Sequence, residues 1–208
     1  GRSWLTPLGG NLALSAGFAI RRELADLGGL SLVVGLALLD ALEALGFESL
    51  ALKWPNDLLL GGAKLGGILI ELKATAADQA ATEAIVGVGI NLRLSAQARA
   101  AIDQQVTDLS AAGAEVARNK LAADVIGNLV DYIAEFERVG FAPMREQYER
   151  YHWMQGKQCE LRIGSQSVSG RVVGVTDLGE LQLQTPAGTQ TFRGGEVSLR
   201  ARPTQIDG

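Results

Sequence analysis

Residues 12–20 alternate, with Leu12, Leu14, Ala16, Phe18 and Ile20 on one side and mostly small residues between them. That is the period of a strand half buried along one face. From residue 30 the spacing lengthens to that of a helix. Leu32, Leu36, Leu39 and Leu45 mark one side, Asp40 and Glu43 mark another, and Gly46 stands where such a helix needs its C′ glycine. The two acids, and a run shorter than the roughly 20 apolar residues of a bilayer span, argue for a core helix. Its distance from the start, without a basic flank, does not fit a signal peptide. Apolar runs at 50–54, 57–60 and 64–72 read as strands, the last two joined by Gly61-Gly62, whose paired glycines permit positive φ. Another strand is predicted over 84–94, with Gly87 and Gly89 inside it.

Helical spacing returns at 119–139, where Leu121, Val125, Leu129, Tyr132, Ile133 and Phe136 form an apolar face that ends at Gly140. Thr107-Asp108 can cap a short turn before it, and Pro143 opens a further helix to about residue 150. After Gly156 the texture changes to short β-type runs at 159–163, 167–175, 180–185, 189–194 and 196–200, separated by turn signals such as Asp177-Leu178-Gly179 and Pro186-Ala187-Gly188. Five strands at that spacing suggest a small barrel or SH3-like module. The pattern predicts a mixed α/β domain to about His152, then a small all-β domain.

Composition narrows the class. The chain has 208 residues, 47% of them hydrophobic, enough for one large domain or one domain with a small appendage. The lone Cys159 excludes an internal disulfide framework and a Cys-rich zinc site, and is what a reducing cytoplasm leads one to expect. A net charge of −4 argues against a surface that grips nucleic acid throughout.

The densest chemistry lies in Lys53-Trp54-Pro55-Asn56-Asp57-Leu58 and the following Lys64-Leu65-Gly66-Gly67-Ile68. One reading is a hairpin with a polar turn and two solvated lysines. The other is two ammonium groups converging on a carboxylate or phosphate beside an Asn/Asp pair, with glycines that let a ligand approach the backbone. Gly87-Val88-Gly89-Ile90-Asn91 is either a bulged strand or a wall for a flat ligand, with Asn91 offering both donor and acceptor. The only histidine, His152, sits between Tyr151 and Trp153 with no acid or nucleophile near it in sequence, which makes it a packing residue. Cys159 falls in a predicted strand as inert core.

Taken together and in order, Gly1-Arg2-Ser3-Trp4, the strand from Asn11, the two lysine motifs, Gly87–Leu92 and the terminal Gly194-Gly195-Glu196-Val197-Ser198-Leu199-Arg200 resemble a bacterial biotin protein ligase across nearly the whole chain. The resemblance implies an α/β (α+β) fold. Residues 1–153 would form a class II aminoacyl-tRNA-synthetase-like mixed sheet with helices, and 157–202 a small SH3-like β-barrel. It implies a cytoplasmic enzyme that makes biotinoyl-5′-AMP and pyrophosphate from biotin and MgATP. The enzyme would then pass biotin to one lysine of the biotin carboxyl carrier protein of acetyl-CoA carboxylase.

By the same resemblance, Lys64 and Lys53 would be the catalytic cations. Lys64, Gly66, Gly67, Arg2 and Trp4 would contact biotin. Asn56, Asp57, Asn91, Arg200 and Glu196 would lie on the ATP and adenylate side, with Asn56 and Asn91 nearest Mg2+, and Trp54 would support the ligand wall. A homodimer through sheet edges is a family expectation, and DNA would be a partner only if a winged helix-turn-helix precedes Gly1. A lipoate or octanoate ligase is the alternative on the same fold, and the barrel could serve carrier docking instead of the ATP site. Two departures stand out. Only the end of the family's arginine-rich loop is present, so the chain is expected to begin within that loop and to be impaired on its own. The stretch from Arg93 to Val106 is alanine-rich and lacks the tryptophan expected near its end.

Overall fold

The computed structural model describes residues 9–74, 81–102, 104–113, 116–164, 166–193 and 197–201. The first sheet contains β1 (Asn11–Ile20), β2 (Leu50–Lys53), β3 (Asp57–Leu60), β4 (Ala63–Ala74) and β5 (Thr82–Asn91), in the order β1-β5-β4-β3-β2. All its strand pairs are antiparallel. The alternation in β1 lies as expected: Leu12 and Ile20 are buried, Leu14, Ala16 and Phe18 are half-buried, and the residues from Ala13 to Ala19 between them face out. On β5 the even-numbered Ala84, Val86, Val88 and Ile90 are buried.

The helix α1 (Leu30–Glu43) is the core helix that the spacing predicts. It is buried on nearly every side, because it packs against β4, β2 and a second long helix, α3 (Arg118–Val139). With the preceding 3-10 turn Leu24–Leu27 it is long and apolar enough to cross a bilayer, but most of that stretch is enclosed by this protein's own core. Asp40 is accommodated by the hydroxyl of Tyr132, which donates to it at 2.6 Å. The helix closes as predicted at Gly46 (φ 86°): Phe47 N–H reaches Leu42 O at 3.1 Å and Gly46 N–H reaches Glu43 O at 2.9 Å. These are the two bonds of a Schellman cap. In α3 the buried residues are Leu121, Val125, Leu129, Ile133 and Phe136, one face of a 3.6-residue period.

Two short helices complete the set, α2 (Ala96–Ala100) and α4 (Arg145–Tyr151). The second sheet has the predicted five strands, β6 (Gln158–Ile163), β7 (Gln166–Val175), β8 (Leu181–Thr185), β9 (Gly188–Phe192) and β10 (Val197–Ala201), ordered β10-β6-β7-β8-β9. Its core of Cys159, Leu161, Val172, Val175, Leu181 and Leu183 is continuous with that under the first sheet. Burial pushes the Cys159 thiol up to about 11, so it is inert at neutral pH, as expected.

Specific contacts join the two sheets. Trp54 Nε1 donates to Gly179 O at 3.0 Å, and Glu149 Oε1 accepts from Val175 N–H at 3.0 Å. Arg145 pairs with Asp177 at 2.7 Å. Gly179 has φ 79°, and a Cβ there would lie 2.7 Å from Gly29 Cα, so the turn rests directly on the chain entering α1.

His152 is packing, as expected. It is buried, with its ring centroid 5.2 Å from that of Tyr148. Burial pushes its pKa down from 6.5 to about 4, the Gln155 side chain offsetting this in part. An unfolded chain therefore binds a proton that the folded one excludes. The group's contribution is whole above pH 6.5 and is lost as pH falls toward 4. Urea unfolding at pH 7 and pH 4.5 should show the wild type losing on the order of 3 kcal/mol more than His152→Phe. Parallel losses in both proteins would contradict this account.

Candidate functional site

The turn between β2 and β3 is held from three directions. Ser31 Oγ, on α1, donates to Pro55 O at 3.0 Å. Asn56 Nδ2 donates to Ile68 O, and Ile68 N–H returns a bond to Asn56 O, both at 2.9 Å, which ties the turn to β4. Trp54, preceding a cis Pro55, is buried and anchors to Gly179 of the second sheet. Its indole therefore ties the turn to the second sheet and touches the site only through the backbone it holds.

Strand register then decides which side chains meet. Lys53 pairs with Asp57, and Asp57 with Gly67. Gly67 in turn pairs with Gly89. Directly paired residues share a face, so these four lie on the face away from α1, and Asn91, two residues beyond Gly89, shares it. Lys64 is three residues from Gly67 and would point the opposite way in a regular strand. Between Leu58 and Leu59 the register shifts, so that Leu58 pairs with Gly66 while Leu59 pairs with Lys64. The extra residue, Leu65, is wholly buried, and Lys64 swings onto the face of Asp57. There Lys64 Nζ forms an ion pair with Asp57 Oδ1, each side chain about one-fifth exposed, at 18% and 19%.

Lys53, Asp57, Lys64, Gly67 and Asn91 are thus brought to one end of one face, and Asn56 sits on the adjoining turn. Gly66 is not: it pairs with Leu58 and Ile90, on the helix-covered side. Its reason for being glycine is that a Cβ would run into Gly89 O. Gly87-Val88-Gly89 carries no bulge, since β5 keeps continuous register with both neighbours. Arg2, Trp4 and Glu196 lie outside the described residues. Arg200 is on β10, opposite Glu160.

The residues after β5 also belong to the site, and periodicity did not mark them. Lys64 N–H donates to Gln105 O at 3.0 Å and Thr107 N–H donates to Lys64 O at 2.9 Å. Asn91 Nδ2 donates to Thr107 O at 3.0 Å, and Leu109 N–H donates to Asn91 O at 3.1 Å. Residues 105–109 therefore bridge Lys64 and Asn91. Beyond them opens a cleft of about 710 Å³ lined by Gly9, Leu92, Arg93, Leu109 and the first turn of α3, including Arg118. That volume suits a drug-sized or nucleotide-sized ligand. Among the described residues no group of three or more His, Cys, Asp and Glu gathers to hold a metal.

A family model described as biotin/lipoate A/B protein ligase family matches residues 12–150, and one described as biotin protein ligase C terminal domain matches residues 155–200. The chain belongs to the biotin/lipoate A/B protein ligase family. The two matches divide where α4 gives way to β6. Among relatives of this ligase family, the bifunctional ligase/repressor BirA of Escherichia coli (strain K12) is 35% identical over 97% of this chain and 62% of its own length. A biotin--[acetyl-CoA-carboxylase] ligase of Paracoccus denitrificans is 33% identical over 95% of this chain and 83% of its own. The chain thus spans less than two-thirds of the ligase/repressor relative. Among solved structures, the biotin protein ligase from Aquifex aeolicus in complex with biotin and ATP matches with a TM-score of 0.79 at 27% identity, over 97% of this chain and 83% of that one.

The glycine assignment is testable. Gly66→Ala should destabilise this ligase-family chain by about 2 kcal/mol or more in urea unfolding, because the methyl group must displace the β5 backbone. Gly17→Ala, where a Cβ has nothing within 4 Å, should change stability by no more than about 0.5 kcal/mol. Equal effects would show that the close approach of Gly66 to Gly89 is misassigned.

Proposed function

We propose that this chain forms the greater part of a cytoplasmic biotin protein ligase. The enzyme makes biotinoyl-5′-AMP from biotin and MgATP, then transfers biotin to a lysine of the biotin carboxyl carrier protein of acetyl-CoA carboxylase. The observation that carries this reading is the bulge-directed meeting of Lys64 with Asp57, Lys53, Gly67 and Asn91 on one face, beside a nucleotide-sized cleft, in a chain of this family.

The chemistry fits the arrangement. A carboxylate is a poor electrophile, and it repels the polyphosphate it must attack. Two lysines on one face offset that repulsion, and Lys64 is placed to neutralise charge as a biotin carboxylate oxygen bonds to the α-phosphorus and pyrophosphate leaves. Asp57 keeps the Lys64 ammonium oriented. Gly67 and Gly89 leave the sheet face bare enough for a flat ring to lie against backbone. Asn56, Asp57 and Asn91 border the nucleotide side, with Arg200, Glu196, Arg2 and Trp4 as further contacts. In the second step the carrier lysine's amine bonds to the carbonyl carbon and AMP departs.

Mg2+ fits here as part of the nucleotide substrate and not as a resident ion. Asp57 is committed to Lys64, and the amides of Asn56 and Asn91 donate to backbone carbonyls. With few carboxylates among the described residues of this face, the metal's ligands come largely from phosphate and water. The partner reading is supported by β4, whose residues 69–74 carry no strand on the β3 side among the described residues. A second copy or the carrier domain can add a strand there.

On the full-length protein, ATP–pyrophosphate exchange should require biotin and should not respond to lipoate. Lys64→Ala should lower the exchange about 100-fold or more, whereas Lys73→Ala, at an exposed position on the same strand, should leave it within about twofold. Exchange driven by lipoate, or equal rates in the two variants, would overturn the reading.

A further inference from the structure

We propose that Asp108 is a positioning residue for the site: its buried carboxylate closes residues 94–111 on themselves and so holds 105–107 in register against Lys64. The inference rests on the ligase reading only for its kinetic consequence. Asp108 is 1% exposed. Its Oδ2 accepts from Leu94 N–H at 2.8 Å and from the Arg99 guanidinium, and its Oδ1 accepts from Ala111 N–H at 2.7 Å. One carboxylate therefore gathers a residue before α2, a residue on α2 and a residue beyond the bridging strand. Arg99 adds a bond to Val106 O at 3.4 Å.

Hydrophobic contact contributes little at α2. The helix has no buried residue, and its alanines offer little apolar area. Its own cap is Ser95, which accepts from Ala98 N–H at 3.1 Å and fixes only the first turn. The alanine-rich stretch after β5 is thus ordered by charge-assisted hydrogen bonds. If Asp108 loses its charge, the two oxygens can no longer serve three donors. Residues 105–107 then leave the Lys64 amide, the Lys64 carbonyl and the Asn91 amide without their present partners.

A segment that must order before the ligand binds draws that cost from the binding energy. Asp108→Asn and Arg99→Ala should therefore raise the KM for ATP in biotin-dependent exchange by about tenfold, with kcat changed less than about threefold. A fault confined to folding would lower the active fraction, and with it kcat, at constant KM. Hydrogen exchange on ligand-free full-length protein supplies a readout independent of activity. The amides of Lys64, Leu94 and Thr107 should lose protection about tenfold or more in both variants, while those of β7 and β8 keep theirs.

Unchanged protection of those three amides would overturn the proposal, as would unchanged KM for ATP. If Asp108→Asn does not fold, Arg99→Ala decides alone, since the Arg99 side chain is 35% exposed and can be truncated at lower cost. If the wild type shows no biotin-dependent exchange, the ligase reading fails, and hydrogen exchange still decides whether Asp108 orders the segment.

Discussion

The amide and the carbonyl of Lys64 both point away from β3, and each finds its partner in the segment after β5, Gln105 for the one and Thr107 for the other. Main-chain groups withdrawn from water need such partners. The bulge at Leu65 brings this about, because one extra residue turns Lys64 toward Asp57 and leaves its backbone facing outward from the β3–β4 ladder. The ion pair with Asp57, the amide bond from Asn91 to Thr107 and the mouth of the cleft at Leu109 are all placed by that outward pairing. Without it, Lys64 would remain a lysine on the opposite side of the strand, and Asp57 would lose its ion pair.

The second sheet bears on the same site through the β2–β3 turn. Trp54 lies between Lys53 and Pro55, so a bond from its indole to Gly179 places a site element by reference to the second sheet. Gly179 resting on Gly29, and Glu149 satisfying Val175, make the junction a packed interface. A mobile hinge would let Asn56 and Asp57 drift relative to α1. The Ser31 bond to Pro55 shows that the turn is referred to α1 as well.

Much of this was legible in the chain. Period-two alternation found β1, and glycine punctuation found the hairpin and the end of α1. The five short runs found the second sheet, and the lysine motifs were marked before any geometry was known. What escaped has physical reasons. A bulge changes a side chain's face without changing composition, so the spacing from Lys64 to Gly67 looked ordinary. Only tertiary structure shows Trp54 reaching a carbonyl 125 residues away. Asp108 was read as a turn cap, which its bond to Ala111 accords with, but its bonds to Leu94 and Arg99 depend on a loop that returns to its own start.

Biotin activation is the proposed use of this face, and the most direct test is where the intermediate lies. A crystal structure of the full-length protein with a non-hydrolysable sulfamoyl analogue of biotinoyl-5′-AMP should place the linker that replaces the acyl phosphate within hydrogen-bonding reach of Lys64 Nζ. The bicyclic ring should lie over Gly67 and Gly89, and the nucleoside should run past Asn91 toward the cleft at Leu109. The analogue in the second cavity, of about 440 Å³ between the start of α1 and the Gly179 turn, and out of reach of Lys64, would contradict the account.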